Sequence, residues 1–173
     1  MRPAPRKAAT FLLSAVLCMS ACRTPTQGPA VCIDALQSDP SVAAKNLFKS
    51  HYDFYYQDPT LFEELLTPKL FRTLKHQYDD FERTRLIGAL DRDPWTNAQD
   101  GEISQPYSFT TLKAKESEAV VRFQYLFVLG PKSRIPQSVL MKFERPTPGA
   151  TWQFSDLIMS NNESLVGLLE RTP

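Results

Sequence analysis

Several things are scarce in this sequence, and each scarcity narrows what the protein can be. The three cysteines form no CxxC pair and no Cys/His spacing of the kind a zinc site needs. No basic stripe marks a nucleic-acid-binding surface. If residues 1–21 are a leader, Arg2, Arg6 and Lys7 leave with it, so 20 basic side chains become 17 against 19 acidic, a net of −2. Nucleic acid is therefore not an expected partner. The longest apolar stretch, Ala8 to Leu17, falls short of the roughly 20 residues a membrane-spanning helix requires. No nucleophile or oxyanion motif completes a catalytic set, and there are no internal repeats or low-complexity tracts. What remains after a leader, about 150 residues, can bury one core with neither metal nor disulfide to hold it.

The leader itself is well marked. Arg2, Arg6 and Lys7 make a positive start, Ala8 to Leu17 an apolar middle, and Ser20-Ala21 a small-residue segment before Cys22, the three parts of a secretory signal. Met19-Ser20-Ala21-Cys22 resembles the lipobox of bacterial lipoproteins, in which an apolar residue and two small ones precede the lipid-accepting thiol. Leucine is usual where Met19 stands. Cys18 is the poorer acceptor, because bulky Leu17 precedes it. The competing reading is an ordinary secretory signal cut near Ala21. With two or three acyl chains, Cys22 alone would hold the protein on a bilayer. Arg23 follows it, where an Asp would favour inner-membrane retention, so the expected address is the outer membrane, facing the periplasm. Cys32, between Val31 and Ile33, reads as a buried, inert thiol, with a reactive thiol or an intermolecular bridge as the alternatives for an odd cysteine.

The predicted organisation is a signal peptide over 1–21, a lipidated cysteine and tether over 22–38, and one domain over 39–173. Pro25, Gly28 and Pro29 mark the tether, which by random-coil scaling would span about 20 Å. Asp39-Pro40, Asp58-Pro59 and Thr67-Pro68 each set a capping side chain before a proline, the punctuation of a helix start. Helices are predicted over Pro40–Tyr56, Pro59–Leu66 and Pro68–Arg85. The first would present Ala44, Leu47, Phe48, His51, Tyr52 and Tyr55 on one face. The period then changes: strands are predicted over Tyr107–Lys113, Ala119–Leu129, Val139–Arg145 and Trp152–Ile158, and a last helix over Asn162–Glu170. Helices followed by four antiparallel strands predict an α+β fold, with the N-terminal helices packed on a curved sheet.

Taken in order, Phe54-Tyr55, Leu66-Thr67-Pro68-Lys69-Leu70, Asp93-Pro94-Trp95 with Gln99-Asp100, and Trp152-Gln153-Phe154-Ser155-Asp156-Leu157 resemble a family of bacterial envelope proteins, the domain-of-unknown-function 3828 family. The likeness runs from about Val42 to Leu169. It implies the cystatin-like, nuclear-transport-factor-2-like cone and an envelope location. It implies no activity.

Three candidate sites emerge. His51, Tyr52 and Tyr55 would line the cavity of such a cone, and an aromatic pocket with a few polar groups is the ordinary form of a small-ligand site. Asp91, Asp93, Asn97 and Glu102 stand at spacings that suit a calcium loop, although Trp95 occupies a ligand position and Thr96 stands where the turn wants glycine. The alternative there is a polar connector with Trp95 packed as a plug. His51 beside Asp53 or Glu63 offers a general base, but no companion catalytic group is present, and His76 reads as a solvated surface residue. The combined expectation is a lipid-anchored envelope protein that binds without catalysing and needs no cofactor. Its partner would be another envelope component, most plausibly a protein, with a periplasmic small-ligand carrier or sensor as the alternative.

Overall fold

The first three helical segments each begin where an acceptor side chain precedes a proline. The computed structural model describes residues 39–86 and 90–171, all within one compact unit. Helix α1 spans Pro40–Ser50, with the Asp39 carboxylate accepting from Ser41 N at 2.8 Å. A 3₁₀ helix spans Pro59–Leu65 behind Asp58, and α2 spans Pro68–Thr84 behind Thr67. In all three the proline sits in the first turn, where its missing N–H leaves no intrahelical bond unmade.

Helix α1 stops six residues before its predicted end. At His51 the backbone leaves the helical region (φ −137°, ψ 49°). Tyr56 N then bonds Asp53 O at 2.9 Å rather than Tyr52 O. This frees the Tyr52 carbonyl to accept from Trp95 Nε1 at 2.8 Å, and the turn sends Phe54 fully into the core. A tertiary bond and a buried ring thus override helical periodicity. The second segment is 3₁₀ for a related reason: Phe62, completely buried, takes a non-helical φ of −147°. Thr67 N then bonds Phe154 O at 2.9 Å and fixes the chain beside the sheet.

The sheet is an antiparallel meander in the order β1-β2-β3-β4, formed by Glu102–Ala114, Glu118–Gly130, Ser133–Glu144 and Gln153–Ile158. Irregularities between Ser104 and Ser108, Thr111 and Lys113, and Lys142 and Phe143 bend its strands, as bulges do. The fold class is α+β, helices on a curved four-stranded sheet with a short C-terminal helix, as the sequence predicts. Strands β1 and β3 start well before their predicted first residues, each across a proline. Pro106 lies in edge strand β1, where a missing donor is tolerated. Pro136 lies in the part of β3 that pairs only with β2, since β4 joins β3 from Leu140 onwards.

The last helix, α3, is shorter than predicted, Leu165–Leu169, with Ser164 accepting from Gly167 N at 3.1 Å. It is anchored by Asp156. That carboxylate accepts from Ser164 Oγ at 2.9 Å, Val166 N at 3.2 Å and Lys142 Nζ at 3.3 Å. The core lies between the helices and the inner sheet face and is notably aromatic: Phe48, Phe54, Trp95, Phe123, Tyr125, Phe143 and Phe154 are all buried. Among the described residues no helix is long and apolar enough to cross a membrane.

Candidate functional site

Helical spacing puts Ala43, Asn46, Leu47 and Ser50 on one side of α1, with His51 just beyond. Opposite them stand Phe143 and Phe154, paired in register on β3 and β4, and Thr151 and Trp152 ahead of β4. Glu64 and Leu65 close one end. Between these walls lies a groove of about 430 Å³. Its walls are chiefly Leu47, Leu65, Phe143, Trp152 and Phe154; its polar groups are Asn46, Ser50, His51, Glu64 and Thr151.

Trp152 is the unusual wall. It is 3% exposed, and the Arg145 guanidinium lies 4.2 Å from its ring centroid, a cation–π contact. Its Nε1–H is buried with no hydrogen-bond partner. Such a donor costs about 1–3 kcal/mol relative to a satisfied one. Trp95, the other tryptophan, has its N–H fully used.

The structure brings one of the three predicted pocket residues to this groove. His51 lines it, its ring 4.7 Å from Phe62 and its Nδ1 3.5 Å from Gln57 Oε1. Tyr52 and Tyr55 do not. The end of α1 at Ser50 turns them toward the loop around Asp93, where Tyr52 Oη donates to Asp93 Oδ2 at 2.5 Å and Tyr55 packs against Phe54 and Tyr56. Burial is the main cause holding the hydroxyls of Tyr52 and Tyr55 far above the ordinary tyrosine range, and the negative charge of Asp93 adds to it. Tyr125, which donates to the Trp95 carbonyl, is raised in the same way. The space between the helices and the sheet at this end is filled by Trp95, fully buried, with Phe48, Phe54 and Phe123 rings 5.5, 5.7 and 5.9 Å away.

The loop read as a calcium candidate is that plug's mounting. Asp93 Oδ1 accepts from Trp95 N at 2.8 Å and Oδ2 from Tyr52, so both oxygens are committed. Asn97, left-handed at φ 53°, returns its N–H to Asp93 O. Asp91, Asp93 and Asn97 share a cleft of about 100 Å³ with Arg92 and Glu163, while Glu102 opens β1 opposite Val128. Among the described residues no cluster of three or more His, Cys, Asp or Glu is placed to hold a metal ion. The His51 bond goes to Gln57 rather than to Asp53 or Glu63, and His76 is exposed, 3.1 Å from Asp80. Cys22 and Cys32 lie outside the described residues.

Sequence reasoning missed Trp152, Phe143 and Leu65 as groove walls. It places each in its element, but which elements face one another across α1 depends on tertiary packing. The available signal was Asn46 and Ser50, polar residues on the apolar side of α1. Compared with protein-family models, curated proteins and solved structures, the chain gives no significant match.

Proposed function

We propose that this chain is a bacterial envelope lipoprotein, anchored through acylated Cys22, whose folded domain binds without catalysing and uses the groove between α1 and the β3–β4 edge to do so. The family resemblance of the sequence agrees with this reading. The observation that carries it is the groove itself: a concavity of about 430 Å³ with an apolar floor and a few polar groups, Glu64 among them, within the ordinary range of small-ligand sites. A stable protein–protein interface is instead broad, about 800 Å² per partner. The geometry thus supports the carrier or sensor reading ahead of the protein-partner one.

One feature supports the second reading. The sheet's other face carries Val120, Leu126, Val128, Leu140 and Ile158, all half-buried, beside Arg122 and Lys142. A protein partner would find its apolar contacts there.

The anchor and the groove are tested separately. Intact-mass measurement of the membrane-extracted chain should show diacylglycerol on Cys22; an unmodified N-terminus at Cys22 would remove the anchor. For the groove, N-phenylnaphthylamine, an uncharged apolar fluorophore, should bind saturably to wild type. Binding should be lost in Asn46→Trp and in Thr151→Tyr, which fill the groove from opposite walls. Unchanged binding in both folded variants would place the dye elsewhere and contradict the reading.

A further inference from the structure

Between Glu118 and Glu144 the sequence holds Arg122, Lys132, Arg134 and Lys142 and no acid. This stretch is the hairpin of β2 and β3. Its tip carries two of the large apolar side chains exposed on the described surface, Leu129 at 57% and Ile135 at 45%. Aliphatic side chains grouped in this way mark a surface that is covered in use. Ile135 pairs with buried Phe127, and Leu129 sits in the irregularity between Val128 and Gly130. Lys132 and Arg134 stand between them in sequence, both exposed and neither in an ion pair among the described residues, whereas Lys142 is taken by Asp156. The acid that the register brings closest to Arg134 is Glu102, with Val128 between them. Two strand spacings, about 10 Å, keep it out of contact. The tip also projects. Because β4 joins β3 only from Leu140, the hairpin overhangs β4 by roughly 20 Å at about 3.3 Å a residue.

A single hairpin turn is narrow beside the roughly 800 Å² per partner of a stable protein interface. A phospholipid surface suits it better. The acyl layer takes the aliphatic side chains, and the phosphates above it meet cations whose long stems keep the charge at that level. We propose that the β2–β3 tip is a second membrane contact: Leu129 and Ile135 enter the acyl boundary, and Lys132 and Arg134 pair with headgroup phosphates. The proposal rests on the anchor reading for a bilayer at hand, and it is independent of the groove. Thr111 Oγ1, which donates to Asp39 at 3.5 Å, belongs to the β1 residue opposite Val121, so the tether and the tip leave opposite ends of the sheet. Residues 23–38, about 50 Å at full extension, are long enough for Cys22 and the tip to meet one bilayer.

The test reads the tip directly. The full chain, wild type and Leu129→Trp, is mixed with vesicles of phosphatidylethanolamine and phosphatidylglycerol whose acyl chains carry bromine, a short-range quencher of indole fluorescence. Trp95 and Trp152 are buried, so wild-type emission should hardly change. Leu129→Trp should add a blue-shifted, quenched component. Each cation near an anionic surface is worth about fivefold in partition, so adding Lys132→Gln and Arg134→Gln should lower the ratio of quenched to unquenched tip roughly 25-fold. All three side chains are exposed, and an unchanged urea midpoint shows that the variants fold. New emission that stays unquenched overturns the tip contact, and quenching that the two glutamines leave unchanged overturns the pairing with phosphate. The mass at Cys22, read on the same sample, separates the claims: an unacylated chain quenched at position 129 loses the anchor and keeps the tip, and an acylated chain unquenched there does the reverse. Absent quenching, together with a benzophenone at position 132 that captures a protein in cells, gives the tip to a protein partner and overturns the proposal.

Discussion

Tyr52 and Asp93, 41 residues apart, are joined by a 2.5 Å hydrogen bond from the tyrosine hydroxyl to Oδ2 of the carboxylate. The same carboxylate caps the turn that carries Trp95, whose indole N–H returns to the Tyr52 carbonyl. The bonds form a closed circuit between the segment after α1 and the connector to the sheet. Removing the hydroxyl leaves a half-buried oxygen unpaired, so Tyr52→Phe should cost about 1–3 kcal/mol, read as a lowered urea midpoint with an unchanged slope.

The circuit also sets an alkaline limit. Tyr52, Tyr55 and Tyr125 are held protonated in the folded chain by burial, with Asp93 adding to it. Their raised values mean that the stability they contribute is complete below the unfolded tyrosine pKa, near 10. It is lost as pH climbs above that, because the unfolded chain then releases protons the folded chain retains. Thermal midpoints from about pH 8 to about pH 11 should be flat at first and then fall. The fall should be shallower in Tyr52→Phe, measured against that variant's own neutral midpoint. A midpoint that rose through this window would contradict the assignment.

Trp95 fills the space that an open cone would leave for a ligand. Trp95→Ala should cost about 3–5 kcal/mol and yield an expanded, dye-binding state. Trp95→Phe should be milder, losing mainly the bond to the Tyr52 carbonyl. Far-ultraviolet circular dichroism with denaturant titration separates the two outcomes.

Gly101 is needed for its lack of a side chain. Its φ is +110°, and a Cβ there would lie 2.5 Å from the Phe127 ring and 2.9 Å from the Val128 carbonyl oxygen. The ring could move, but the backbone oxygen could not. Gly101→Ala should destabilise by more than about 2 kcal/mol, and shrinking the ring with Phe127→Leu should restore only part of the loss.

Asp156 ties the last helix to the sheet. Asp156→Ala deprives Val166 N and Ser164 Oγ of their acceptor. Limited proteolysis should then cut near Asn161 and Asn162 well before the sheet is attacked, whereas wild type should resist at the same protease concentration.

The sequence announces this fold where local chemistry decides it. Asp39, Asp58 and Thr67 before prolines locate three helix starts, and the alternation from Ala119 to Leu129 locates the central strand. It misleads where a distant partner decides. The apolar face drawn through Tyr52 and Tyr55 assumes that α1 continues, but the Trp95 indole claims a carbonyl that the helix needs. Pro106 and Pro136 hide strand beginnings that the register with β2 reveals. The candidate site is the least legible part, because Leu47, Leu65, Phe143 and Trp152 come from four segments that only packing brings to one groove. His51 was visible in the sequence, and the wall across from it was not.

The most direct test of the central claim is photocrosslinking in the cells that make the protein, with a benzophenone side chain at one of two exposed positions. Ser50 stands at the rim of the groove, and Ser138 on the sheet's other face. Mass spectrometry of the purified adducts should find a small-molecule mass at position 50 that disappears when Asn46→Trp is added, and no such adduct at position 138. Protein adducts confined to position 138, with none at position 50, would contradict the groove and make the outer sheet face the working surface.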